Sequence, residues 1–257
     1  MHRRLTIVIF FSILILSWVF IHSAAISNAQ KREKNNMQIL QTYQEDVTGN
    51  GLKERIQLKG SLFSPESKYY QTINTTIQTK DNNHWTITYD GGYDPTLTFI
   101  DLNHDRIADI FFQSATGGSG GIYQSKLHTL AANTLTEIPL PKLAYVSGEF
   151  QDNFSLKLSL FPQKEPFLIN AKNRADEYIR LGLYNKKGKL LKKQNLMFDP
   201  IAFYEPIFIN KEKGYGLKSY QQVSGAYHAD QLGTIETIWY YDNNKWINLK
   251  TEWLPSK

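Results

Sequence analysis

The sequence contains no cysteine. That excludes a disulfide framework, any thiolate metal site, and a bacterial lipoprotein anchor, which needs a Cys behind its signal. The six His are scattered without His-Glu-x-x-His or other paired spacing, so zinc has no ligand set in the sequence. Past the N-terminus no long stretch keeps a 3.6-residue apolar period, so helices are expected to be few and short. Excess charge is also scarce. The formal net charge is +5, and Arg3 and Arg4 supply two of those units, leaving about +3 for the rest, a surface of ordinary solubility. No constellation of nucleophile, base and orienting group can be picked out.

Aromatic residues are plentiful, with 15 Tyr and 14 Phe, and they favour pleated, half-buried surfaces. Asn, Gly and Asp recur where strands would turn. The 257 residues are ample for a core, and about 225 remain once the first segment is set aside.

That first segment is a targeting signal in its order of parts. His2-Arg3-Arg4 precede the apolar run Leu5 to Ile21, and small residues follow, with Ser27-Asn28-Ala29 offering a cleavage site after Ala29. The run is also nearly long enough to span a bilayer, so either a cleaved signal or a retained single span is expected over residues 1–29, with a polar tether over 30–36. Both place the remainder outside the cytoplasm, because the positive flank stays inside.

The stretch Asp101-Leu102-Asn103-His104-Asp105-Arg106-Ile107-Ala108-Asp109 sets side-chain oxygens on alternate residues between apolar runs. A tight loop of that kind presents its first, third and fifth positions to one point, as a hard cation such as Ca²⁺ requires. Asp101, Asn103 and Asp105 would ligate by side chain, Ile107 by its carbonyl, and Asp109 would close the shell. Fifty-five residues earlier Asp46, Thr48, Asn50, Leu52 and Glu54 follow the same plan with fewer carboxylates. Weaker copies near Glu149–Asn153 and Asn210–Gly216 keep too few acids and are expected to be turns.

Hairpin tips repeat with a similar period. Asn83, Asn133, Gly188 and Asn244 are spaced by 50 to 56 residues, and Asn and Gly tolerate the positive φ of tight hairpins. The repeated unit is strand, loop, strand, connection, strand, turn, strand. The expected fold is therefore all-β: a small propeller-like array of four four-stranded antiparallel sheets over 37–257, divided near 37–92, 93–142, 143–202 and 203–257, behind an N-terminal hydrophobic helix. A two-sheet sandwich and an open array of sheets are the alternatives.

The two acidic loops resemble the calcium loops of FG-GAP and VCBS repeats, the blades of integrin-alpha-type propellers. Arg106 stands where that pattern has Gly, and Thr48 and Asn50 replace carboxylates. The chain also resembles secreted or single-pass VCBS-repeat proteins of Bacillus-type bacteria through Tyr93-Asp94-Pro95-Thr96-Leu97, Gly117-Gly118-Ser119-Gly120-Gly121 and Ala229-Asp230-Gln231-Leu232-Gly233. The resemblance implies an extracytoplasmic calcium-supported propeller and no reaction.

Gly117 to Gly121 fits the letters of a nucleophile elbow but lacks the following helix that such chemistry needs. His84 and His128 are expected at the surface. Trp85, Trp239, Trp246 and Trp253 are expected to pack sheets. Lys186, Lys187, Lys189, Lys192 and Lys193 form a basic tip that is either a solvated hairpin or a contact for an anionic polymer. Nucleic acid is not an expected partner, since no stacking aromatics lie within that run. The sequence thus predicts a monomeric binding or structural module at the bacterial surface, with an unidentified envelope or extracellular ligand. The competing reading is a cell-wall or polysaccharide hydrolase drawing two carboxylates from Asp90, Asp94, Glu149 and Asp230. A structural component of the spore or envelope is a third.

Overall fold

The computed structural model describes residues 37–142, 146–161 and 163–256, so the expected hydrophobic helix and tether lie outside the described residues. Four antiparallel sheets follow one another along the chain, each an up-and-down meander. Sheet I holds β1 (Gln38–Glu45), β2 (Glu54–Leu62), β3 (Tyr70–Gln78) and β4 (His84–Tyr89). Sheet II holds β5 (Tyr93–Ile100), β6 (Asp109–Ala115), β7 (Tyr123–Thr129) and the two-residue β8 (Thr136–Glu137). Sheet III has β9 (Val146–Gln151), β10 (Ser155–Leu160) and β11 (Phe167–Asn170), and sheet IV has β12 (Met197–Asn210), β13 (Gly214–Ser224), β14 (Gln231–Asp242) and β15 (Lys245–Pro255).

Local chemistry explains most of these elements. β10 alternates, with Leu156, Leu158 and Leu160 buried, as one buried face demands. The β14–β15 turn holds Asn243 and Asn244 at φ 47° and 61°, the conformation a two-residue hairpin requires. Pro95 and Pro200 fall in β5 and β12, each the first strand of its sheet, within gaps in the pairing register. An edge strand tolerates the missing N–H.

The third unit departs from the expected plan. Where the repeated plan calls for a strand leading to the Gly188 tip, a 3-10 turn (Lys172–Arg174) leads into helix α1 (Ala175–Arg180). Asp176 and Glu177 lie in the first turn and Arg180 in the last, the charge order a helix dipole favours. Arg180 donates to Glu177 at 2.7 Å. Gly182, at φ 71°, closes the helix: Leu183 N donates to the Tyr178 carbonyl and Gly182 N to that of Ile179, a Schellman ending. Of the expected second hairpin, isolated bridges remain among the described residues, Tyr184–Leu190 at its tip and Asn195 against Glu149 of β9, so sheet III has three continuous strands.

The sheets close into neither a barrel nor a propeller. Their buried clusters give the neighbours. Ile56, Leu58, Ile73 and Ile77 of sheet I meet Ile110 and Phe112 of β6. The opposite face of β6 sends Phe111 into a second cluster with Leu102, Leu127, Leu217 and Trp239, which joins sheet II to sheet IV. A third unites Phe150, Leu156, Leu158 and Tyr178 with Val223, Leu232 and Ile235, joining III to IV. The spatial order is therefore I, II, IV, III, an open row. A ring in chain order would have packed II on III.

Candidate functional site

The Asp101 loop connects β5 to β6, and its polar side chains fold it. Asp101 accepts from two amides, His104 N to Oδ1 at 2.7 Å and Arg106 N to Oδ2 at 3.0 Å. Asn103 Oδ1 accepts from Asp105 N at 2.9 Å, and Asp105 Oδ1 accepts from Ile107 N at 2.8 Å. Asp109 Oδ2 accepts from Leu102 N and Asn103 N at 2.9 and 3.0 Å.

The Asp46 loop between β1 and β2 repeats four of these bonds, with no counterparts among the described residues to Asp105 N–Asn103 Oδ1 and Asn103 N–Asp109 Oδ2. Asp46 accepts from Gly49 N and Gly51 N at 2.8 and 2.7 Å, Asn50 Oδ1 from Leu52 N at 2.7 Å, and Glu54 Oε2 from Val47 N at 3.0 Å. Backbone handedness agrees as well: Gly49 and Gly51 stand at φ 76° and 80°, His104 and Arg106 at 66° and 72°. Arg106 occupies the left-handed place of a glycine, at a cost of roughly 1–2 kcal/mol. The two loops also touch, since a Cβ on Gly49 would lie 2.5 Å from Ile107 Cδ1.

The loops differ at their last acid. Glu54 has both oxygens engaged, the second by Thr48 Oγ1 at 3.4 Å. Asp109 is fully buried, and its Oδ1 has no hydrogen-bond partner among the described residues. Burial pushes the Asp109 carboxyl up to about 7, against the pull of the Leu102 and Asn103 amides and with the Asp105 and Asp101 charges adding to it. Every donor this loop could offer a cation, Asp109 Oδ1 included, is an oxygen, the kind a hard ion such as Ca²⁺ takes. Asp101 and Asp105 meanwhile serve backbone amides, and among the described residues no three His, Asp or Glu side chains are gathered around a common metal position.

The remaining candidates resolve into structure. Asp152 of the third loop accepts from Leu190 N at 2.8 Å and Lys189 Nζ at 3.0 Å. In the fourth, Asn210 Oδ1 accepts from Glu212 N and Lys213 N, and Lys213 lies over the Tyr240 ring. Gly117 to Gly121 join β6 to β7 with no helix following. Trp239 is buried, its Nε1 donating to Ser219 Oγ at 2.8 Å, while Trp246 Nε1 donates to the Pro139 carbonyl. His84 is exposed, but His128, expected at the surface, is buried at 7% exposure with its Nδ1 unpartnered. Its strand β7 lies inside sheet II, and the Tyr89 ring meets it edge-on.

Asp230 is not a free carboxylate. Arg174 Nε donates to Oδ1 at 2.8 Å, while the Tyr178 hydroxyl and Ala226 N donate to Oδ2 at 2.6 and 2.8 Å. Burial and the neighbouring carboxylate hold the Tyr178 hydroxyl well above its ordinary pKa. This clasp ties α1 to the β13–β14 connection. It went unseen in the sequence because Tyr178 reads there as part of a strand.

Residues 144–254, which span sheets III and IV, match the family model described as the YybI C-terminal domain. The chain is 24% identical over 210 residues to "Uncharacterized protein YybI" of Bacillus subtilis (strain 168), covering 79% of each. No solved structure matches. These findings correct the resemblance to FG-GAP and VCBS repeats, neither of which is shown. A nine-residue loop with acids at alternate positions is a small motif, and its spacing is fixed by turn hydrogen bonds that any β-hairpin can use. The matched region excludes both acidic loops.

Proposed function

We propose that the chain is a non-catalytic binding or structural module that works outside the cytoplasm at a bacterial surface and is supported by Ca²⁺. Asp101, Asn103, Asp105, the Ile107 carbonyl and Asp109 would hold the principal ion. Asp46, Thr48, Asn50, the Leu52 carbonyl and Glu54 form a weaker second site. The four units share a meander plan, with a helix in the third, and are laid out as a row. The observation that carries the reading is Asp109: a carboxylate oxygen left unpaired at zero exposure is costly, and a bound cation removes that cost. The metal's part is to brace sheets I and II, because both loops sit where those sheets meet.

Full-length protein should melt at a higher temperature in millimolar Ca²⁺, and the doubly substituted Asp101→Ala, Asp105→Ala protein should lose that rise. A wild type indifferent to Ca²⁺ ends the metal assignment. Location is read from residues 1–29. N-terminal sequencing of exported material should begin at Gln30 if the segment is cleaved, or find Met1 intact in the membrane fraction if it is retained. Recovery only from the cytosol refutes both.

A further inference from the structure

The third unit concentrates the positive charge. Residues 142–196 carry eleven Lys and Arg against five Asp and Glu, whereas residues 37–141 carry seven against eleven. In the row of sheets the third unit is an end, since sheet III packs on IV and sheet I on II. The excess positive charge is thus gathered at one end of the molecule.

Within the third unit the charge is presented on a fixed turn. Asn185 Oδ1 accepts from Lys187 N and Lys189 N, both at 2.9 Å, Gly188 N donates to the Asn185 carbonyl, and Gly188 stands at φ 78°. Asp152 holds the far side through Leu190 N, and the Tyr184 hydroxyl donates to the Gln151 carbonyl at 2.6 Å. Lys186, Lys187, Lys189, Lys192 and Lys193 are all exposed, and among the described residues only Lys189 pairs with a carboxylate. Four unpaired ammonium groups in eight residues repel one another and attract a chain of negative charges.

We propose that this lysine turn binds a linear, flexible polymer carrying a phosphate on each repeat, of the kind a cell envelope can present. Lysine recognises phosphate as a point charge without planar geometry, which suits a polymer with no fixed register. The only aromatic ring between 184 and 193, Tyr184, is buried, so bases have nothing there to stack on. The turn has one exposed apolar side chain, Leu191, which is too little to insert into a bilayer. The proposal rests on the surface-module reading for its location and not on the calcium loops.

Long-chain inorganic polyphosphate, labelled at one end, serves as the probe in a fluorescence-anisotropy titration of full-length protein at several salt concentrations. Wild type should bind with an affinity that falls steeply as salt rises. Substituting Lys186, Lys187, Lys192 and Lys193 together with Gln should weaken binding about tenfold or more and reduce the log–log salt slope by about 3, at roughly 0.7 to 0.9 per phosphate contact. A control with Lys245 and Lys250 changed to Gln should behave as wild type. Equal loss in the control, no binding at low salt, tighter binding to single-stranded oligonucleotide, or binding confined to phosphatidylglycerol vesicles would each overturn the proposal. Failure here leaves the Ca²⁺-dependent melting unchanged, so the two readings fall separately.

Discussion

His128 shows how one side chain can set a pH dependence. Burial lowers its pKa below the ordinary imidazole value; Glu137 opposes this shift and Lys126 adds to it. The unfolded chain therefore takes up a proton at about pH 6.5 while the folded chain resists it. The contribution of a neutral His128 is present above that pH and is lost as the solution is acidified. Comparing wild type with His128→Gln isolates the effect from the other titrating groups. The wild-type melting temperature should fall relative to the variant's between neutral and mildly acidic pH, and a constant difference would show that His128 does not titrate on unfolding. The acidic loops were legible at this scale, because a carboxylate serving the amides three and five residues on leaves its spacing in the sequence. Asp230 was not, since its partners Arg174 and Tyr178 lie 56 and 52 positions away.

Among the elements, hairpins were the easier to read. Asn133, Gly188 and Asn244 adopt positive φ, and in the first tip Asn82 does so rather than the expected Asn83; those residue types announce it. β10 and β13 are legible for a similar reason, since one buried face writes a period of two, whereas β6, buried on both faces, shows only as an apolar run. Unit three misled because Tyr178-Ile179-Arg180-Leu181-Gly182-Leu183 alternates well enough for a strand. What decides against one is local: acids opening the segment, an Arg closing a turn, and a glycine in the left-handed conformation at its end. Sheet III consequently has a helix where the other sheets place a fourth strand.

At the scale of the whole molecule, the sequence holds the number of units but not their neighbours, because periodicity records which face of a strand is buried and not against what. The middle junction is the smallest of the three, six buried residues against eleven and twelve in the outer pairs. Phe111, 1% exposed, is the largest side chain that sheet II contributes there. Phe111→Ala should cost about 3–5 kcal/mol and, by weakening that junction alone, separate one calorimetric transition into two. Loss of the whole fold in a single step would show instead that the row is one cooperative unit.

The row has a consequence for the order in which the protein can be completed. A chain made from its N-terminus finishes sheets I, II and III before the first residue of β12 exists, yet II and III each have a face that only sheet IV covers. Until the sixty or so residues of sheet IV arrive, two apolar surfaces stand bare on separate halves. Sheet IV is the keystone, set last, and a chain cut short before Met197 would hold two unfinished halves with nothing between them.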